Sequence, residues 1–272
     1  ISRKDVQELY TINTLSYMNK LLLNNLKINF SFYIKFKYLC FDYEVFLILF
    51  TVPNSILVKA ATSNVELIQQ NWPFNGFFGR FDKASLQRGF KVYTEVCSAC
   101  HGLRHLSYRD LEEIGYSNDE IKVIAGEYEI IDGPNDEGEM FTRDAKMSDK
   151  FVGPYENDKI ARLANNGAYP PDLSLIVKAR AGGADYIYSL LNGYKDFPEN
   201  FEASEGMYYN EFYPGNQIAM PPQIEDDIVE FDDGTTATHN QIARDITSFL
   251  AWTAEPELES RKSLGVKTLF FL

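Results

Sequence analysis

Cys97-Ser98-Ala99-Cys100-His101 constrains this chain more than any other stretch of it. Two thiols separated by two residues reach the two vinyl groups of a porphyrin, and the adjoining imidazole then falls beneath the iron. The pattern predicts one covalently attached c-type haem. Two other uses of paired cysteines fit less well. A structural zinc takes four ligands, whereas the chain offers only Cys40, His105 and His239 outside the motif, none at a finger-like spacing. A thioredoxin-like redox pair belongs in a βαβ pattern, and none is evident around these residues. Chance explains little: with three Cys and three His in 272 residues, the motif arises in roughly 4 of 10,000 such sequences.

At this length, with 45% hydrophobic residues, the chain can bury a substantial core and still carry appendages. Charge divides it. Residues 1–60 hold seven Lys/Arg against four Asp/Glu, a net +3, and the rest carries a net −16. Such a field repels nucleic acid and favours a basic partner. Two acidic groups stand out, one of Glu225, Asp226, Asp227, Glu230, Asp232 and Asp233, the other of Glu127, Glu129, Asp132, Asp136, Glu137 and Glu139. Each reads either as a docking surface or as an ordinary solvated face. Three cysteines, two of them in the motif, exclude a disulfide framework and leave Cys40 a buried or free thiol. With neither a phosphate-binding glycine loop nor an H-E-x-x-H pair, nothing suggests an enzyme acting on its own.

Residues 1–60 read as a leader. Lys20 to Lys37 is basic, aromatic and almost free of acids, and Val45 to Val58 is largely apolar. Fourteen residues make about 21 Å of helix, short of a ~30 Å hydrocarbon core, so this run suits a two-part import signal better than a span. The chain opens on Ile1, so an upstream start is expected. From Asp82 the spacing of Leu86, Phe90, Tyr93 and Cys97 predicts a helix that delivers the motif at its end. Gly and Pro are frequent between about 102 and 215, which predicts a loop-rich body with turns at Asp132-Gly133-Pro134-Asn135 and Tyr169-Pro170-Pro171-Asp172, and short helices over Asp172 to Arg180 and Ala184 to Leu191. Thr238 and Gln241 read as a capping box opening a last long helix that Pro256 stops. Gly89 offers a close-approach point on the first helix, and Phe249 and Trp252 on the last can fill it, so the two are expected to cross. The domain reading is 1–60 leader, 61–258 haem domain and 259–272 the start of a C-terminal membrane helix, of which Leu264 to Leu272 is the apolar beginning.

An iron held by His101 needs a second axial ligand. Met140, Met147, Met207, Met220, His105 and His239 are the candidates, and a Met thioether would raise the potential where a second imidazole would lower it. His105 follows His101 by four residues, on the same side. Met220 has the most suitable setting, in Gln217-Ile218-Ala219-Met220-Pro221-Pro222, where two prolines fix the backbone. An ordinary core methionine remains the alternative.

Longer matches surround the motif: Arg88-Gly89-Phe90-Lys91-Val92-Tyr93, Asp132-Gly133-Pro134-Asn135 with Gly138-Glu139-Met140-Phe141, Ala164 through Ser174, Tyr213-Pro214-Gly215, Ile218-Ala219-Met220-Pro221, Phe231 through Thr235, and Phe249-Leu250 with Trp252 and Ala254-Glu255-Pro256-Glu257. Over about 80 to 270 the chain resembles the cytochrome c1 family. The resemblance implies a mainly α, cytochrome c-like haem domain with long loop insertions, held by one C-terminal helix. It implies thioether links at Cys97 and Cys100, His101 and Met220 as axial ligands, and a pocket lined by Asn165, Pro170, Pro171, Arg180 and Tyr186, with Arg180 facing a propionate. The implied role is one-electron transfer from a Rieske iron–sulfur protein, beside cytochrome b, to a basic soluble cytochrome c. The implied place is the mitochondrial inner membrane, haem domain facing the intermembrane space; the bacterial cytoplasmic membrane is the alternative. Rival readings are a free c-type carrier or dehydrogenase module and, from another class, a zinc-binding scaffold.

Overall fold

The computed structural model describes residues 65–199 and 201–271. The leader-like segment and Cys40 lie outside the described residues. Six α-helices run through the described part: α1 Lys83–Glu95, α2 Asn118–Gly126, α3 Asp158–Ala164, α4 Gly183–Asn192, α5 His239–Ala254 and α6 Leu258–Phe271. Two small antiparallel hairpins accompany them, β1 Glu129–Asp132 with β2 Phe141–Asp144, and β3 Tyr208–Tyr209 with β4 Gln217–Ile218. Most of the remainder is loop and turn.

The core is the crossing of α1 and α5. Asp82 starts α1 by accepting from the Ala84 N–H at 3.1 Å, and the expected face buries Leu86, Phe90 and Tyr93. Gly89 sits where α5 arrives: a Cβ built on it would lie 2.2 Å from the Asp245 carbonyl oxygen and 2.6 Å from Phe249 Cβ. The ring of Phe249 fills the space around this contact, 5.7 Å from Phe90, 6.0 Å from Tyr93 and 5.7 Å from Trp252 between centroids. A buried polar knot ties the same crossing. Asp245 accepts from Ser85 Oγ at 2.6 Å, Arg88 Nε at 2.7 Å and Gln241 Nε2 at 2.9 Å, so its charge is both paired and hydrogen-bonded, as burial requires.

Three local expectations change. The Thr238 hydroxyl caps α5 by accepting from Gln241 N at 3.3 Å, but the Gln241 side chain turns to Asp245 instead of back to the cap, so the box is half made. Residues 172–180 form a run of turns, not a helix. There Asp172 captures the Ser174 N–H and Leu173 N donates to Gly102 O at 2.9 Å, so backbone groups that would begin a helix are spent on another loop. The turn at Asp132-Gly133-Pro134-Asn135 is the tip of a hairpin the sequence reading omitted, closed by Arg143, which pairs with both Asp132 and Asp149. Pro256 ends α5 as expected, after which α6 begins. At 14 residues, α6 is about 21 Å long, and among the described residues no helix is long and apolar enough to cross a membrane.

Candidate haem-binding site

Beyond α1, the chain tightens into a 3-10 turn over Cys97–Ala99. The Cys97 carbonyl accepts from both Cys100 N at 3.1 Å and His101 N at 3.0 Å, curling the five residues of the motif into one compact turn. Ser98 Oγ donates to Thr94 O at 2.7 Å and Tyr93 OH donates to His101 O at 3.0 Å, which fastens the turn to the helix and to the core. Cys97 and Cys100 are half-buried free thiols. Burial pushes the Cys97 thiol up to about 12, with Cys100 adding to the effect.

His101 carries the most informative geometry. Its Nδ1 lies 2.7 Å from the Pro171 carbonyl oxygen. A carbonyl only accepts, so Nδ1 bears the proton and Nε2 is left with a bare lone pair, the tautomer of a metal-ligating imidazole. Burial lowers the His101 pKa, against the smaller opposing effects of the Pro171 carbonyl and Asp172; the ring is held neutral. Asp172 in turn fixes the Pro171 carbonyl, because its carboxylate accepts from Ser174 N at 3.0 Å and Arg104 N at 2.9 Å.

Met220 is half-buried, two residues past β4. Its carbonyl accepts from Tyr194 OH at 3.0 Å. Tyr194 forms a single antiparallel bridge with Asn210, and the fully buried Asn210 side chain donates to Leu190 O at 2.8 Å and accepts from Phe212 N at 3.0 Å. The Met220 segment therefore hangs from the end of α4 and the β3–β4 hairpin. Burial raises the Tyr194 hydroxyl pKa, with Tyr186 adding; burial also raises that of Tyr186, opposed by the Arg180 charge.

The other expected pocket residues are more dispersed in role. Arg180 is exposed and its guanidinium donates only to the adjacent Ala179 carbonyl, at 3.1 Å, among the described residues. Asn165 ends α3, its side-chain amide donating to Ala161 O at 2.7 Å and Tyr155 OH at 3.0 Å. Pro170 is half-buried and Pro171 exposed. Of the rival ligands, His239 Nε2 faces the Leu191 carbonyl at 3.2 Å, His105 is exposed, Met140 is 60% exposed near the hairpin tip, and Met147 packs on the core. Sequence reasoning missed two supports. Asp172 carried a signal, since Asp two residues before Ser174 is an Asx-turn pattern; Tyr194 carried none.

The donor set fits a covalently attached haem: two adjacent thiols, a neutral imidazole with its second nitrogen already committed, and a thioether on a separately braced segment. Among the described residues no group of three or more His, Cys, Asp and Glu gathers to hold a metal ion by itself.

The Cytochrome C1 family model matches residues 72–272. The chain is 50% identical over 212 residues to "Cytochrome c1 1, heme protein, mitochondrial" of Arabidopsis thaliana, covering 78% of this chain and 69% of that protein. It is 50% identical over 216 residues to the similarly named protein of Saccharomyces cerevisiae, at 79% and 70% coverage. To "Cytochrome c1" of the bacterium Rhodospirillum rubrum it is 47% identical over 230 residues, at 79% and 85%. A compact C-x-x-C-H turn at the end of one of two crossing helices, joined to similarity of this extent, has one reading: the chain belongs to the cytochrome c1 family.

Proposed function

We propose that residues 61–258 bind one haem c through Cys97 and Cys100, with His101 and Met220 as axial ligands, and relay single electrons from a Rieske iron–sulfur protein to a small basic cytochrome c. The observation that carries the reading is the Nδ1 contact of His101 with the Pro171 carbonyl. It leaves the other ring nitrogen free as a ligand beside two thiols spaced as a haem attachment needs. A relative from Candida albicans, 52% identical over 216 residues, is named "Cytochrome b-c1 complex catalytic subunit, mitochondrial". The chain is accordingly read as the electron-carrying subunit of that complex, with cytochrome b as a neighbour, in the mitochondrial inner membrane and facing the intermembrane space. Residues 259–272 are read as the start of the membrane helix.

A haem iron bound there supplies a reversible one-electron couple whose potential a thioether ligand raises. The chain's own part is to hold that couple still. His101 keeps its Nδ1 proton on Pro171, Asp172 anchors that carbonyl, Tyr194 steadies the Met220 backbone, and the exposed Arg180 guanidinium suits a propionate.

The acidic surface divides in two. Asp226 accepts from His239 N, Asp232 pairs with Lys91 and Asp233 with Arg88, so these three serve the fold. Glu225, Asp227 and Glu230, with Glu127, Glu129, Asp136, Glu137 and Glu139, are exposed and are the charges free to steer a basic partner. Reduction of a basic cytochrome c by this protein should therefore slow as ionic strength rises; a rate that is constant or increases would remove the steering role. The haem reading is tested on protein matured in a host equipped for cytochrome assembly. A pyridine haemochrome that resists acid-acetone extraction, with a mass one haem above the polypeptide, is expected. Colourless protein of bare polypeptide mass would refute it.

A further inference from the structure

Lys262 lies one turn into α6, and its ammonium donates to three backbone carbonyls of one loop: Phe74 O at 2.8 Å, Gly76 O at 2.7 Å and Gly79 O at 3.1 Å. An ammonium has three protons, so the group is wholly spent on this loop. Glu259 adds a second tie, accepting from the Phe81 N–H at 3.0 Å. The two ties hold the whole loop, root and tip, against the first turns of α6.

At that tip Phe77 is 54% and Phe78 81% exposed, the two rings edge to face at 4.9 Å. The root of the loop is different: Trp72 and Phe74 are buried and stacked at 5.5 Å. Pinned at both ends, the tip cannot fold its rings back onto the core. Beyond Lys262, α6 exposes Leu264, Leu269, Phe270 and Phe271, between 65% and 90%, so the helix that clamps the loop is itself apolar and uncovered along its later turns. Charge at this end departs from the acidic body. Arg80 and Lys267 are exposed and make no ion pair among the described residues, which suits anionic lipid headgroups.

We propose that residues 76–79 form a membrane-contact tip, with Phe77 and Phe78 seated at the boundary of headgroups and acyl chains beside the first turns of α6. Aromatic rings are favoured at that depth, and a rigid loop clamped to the helix fixes how far the haem domain stands above the bilayer. The placing of the tip beside a membrane helix rests on α6 being the start of that helix, as read above, and the lipid contact of the rings is tested apart from it.

The test uses the full chain carrying Phe78→Trp and vesicles of phosphatidylcholine with phosphatidylglycerol, their acyl chains brominated near the headgroup. Relative to parent protein, whose Trp72 and Trp252 are buried, the added indole should shift to the blue and be quenched on vesicle binding. The double variant Phe77→Asp/Phe78→Asp should bind vesicles about tenfold more weakly or worse, from removing two partly buried rings, with unchanged far-UV circular dichroism. An indole that stays unquenched while the protein binds vesicles overturns the proposal. So does an indole shielded only on assembly with other subunits, since the tip would then be a protein interface. The anchor reading fails separately. If Leu269→Asp/Phe270→Asp/Phe271→Asp leaves vesicle binding intact and the Phe78→Trp indole is still quenched, the tip stands and the helix assignment falls.

Discussion

Replacing Gly89 with alanine adds one methyl group at the point where α1 meets α5. The added carbon would lie 2.2 Å from the Asp245 carbonyl oxygen, 2.6 Å from Phe249 Cβ and 2.8 Å from the Asp245 carbonyl carbon. Ordinary contact is about 3.5–4.0 Å, so the helices must part by more than about 1 Å. Two of the three obstacles are backbone atoms, which no rotamer change can move. An intrinsic effect runs the other way, since Ala is favoured over Gly inside a helix by about 1 kcal/mol. Overpacking a filled core typically costs about 1–3 kcal/mol, and a backbone obstacle puts this site at the top of that range. Parting the helices also stretches the 2.6 Å and 2.7 Å bonds from Ser85 and Arg88 to Asp245. The net expectation is a loss of about 2–4 kcal/mol. Urea unfolding of the matured protein, followed by far-UV circular dichroism, measures it. Gly126→Ala is the control, because a Cβ there meets nothing within 4 Å, and it should be neutral or mildly stabilising. If Gly89→Ala instead gained stability like the control, the close crossing of α1 and α5 would be wrong.

Tyr194→Phe removes the hydroxyl that donates to the Met220 carbonyl, a bond worth about 0.5–1.5 kcal/mol; the long-wavelength sulfur–iron band should weaken and imidazole should displace the ligand several-fold more easily, and unchanged spectra and displacement would deny Tyr194 its role. Asp245→Ala breaks a buried pair and leaves Arg88 with Asp233 alone, so unfolding should require about 3–5 kcal/mol less, with Asp245→Asn intermediate; a loss below about 1 kcal/mol would show that the knot contributes little. Asp233 is held down to about 2 by the Thr235 N–H and hydroxyl and by Arg88. Because its folded pKa lies below the usual carboxylate value of about 3.9, its contribution is present above pH 4 and is lost as pH falls from about 4 toward 2. Asp233→Asn should flatten that acid limb of the stability curve, and an identical acid titration of the two proteins would exclude the group as a contributor.

What could be read from the sequence was local or periodic. The four-three-four spacing of Leu86, Phe90, Tyr93 and Cys97 placed α1, and Gly89 beside Phe90 marked its crossing with α5, because only a missing Cβ allows such an approach. The half-made cap at Thr238 and the turns at 172–180 were misread for one reason. In each, a polar group that local pattern assigns to a helix start is taken by another acceptor, Asp245 one turn along α5 for the Gln241 side chain and the Gly102 carbonyl of a separate loop for Leu173 N. The β1–β2 hairpin was hidden because its strands, Glu129–Asp132 and Phe141–Asp144, show no strong alternation and are held by Arg143 and two aspartates more than by a buried face.

The same division runs through the proposed haem site. The attachment turn is closed by the Cys97 carbonyl within five residues, so the thiols and His101 keep their relation wherever α1 goes, and the motif alone discloses them. Met220 has no such local frame. Its carbonyl depends on Tyr194, Tyr194 is bridged to Asn210, and Asn210 depends on Leu190 and Phe212, a chain of contacts that only the folded protein assembles. The proposed attachment and the proposed axial ligation thus rest on separate parts of the structure. With haem bound as proposed, changes around α4 and the β3–β4 hairpin would adjust the thioether side, and with it the potential, while the attachment turn and the His101 tautomer stay as α1 and Pro171 set them.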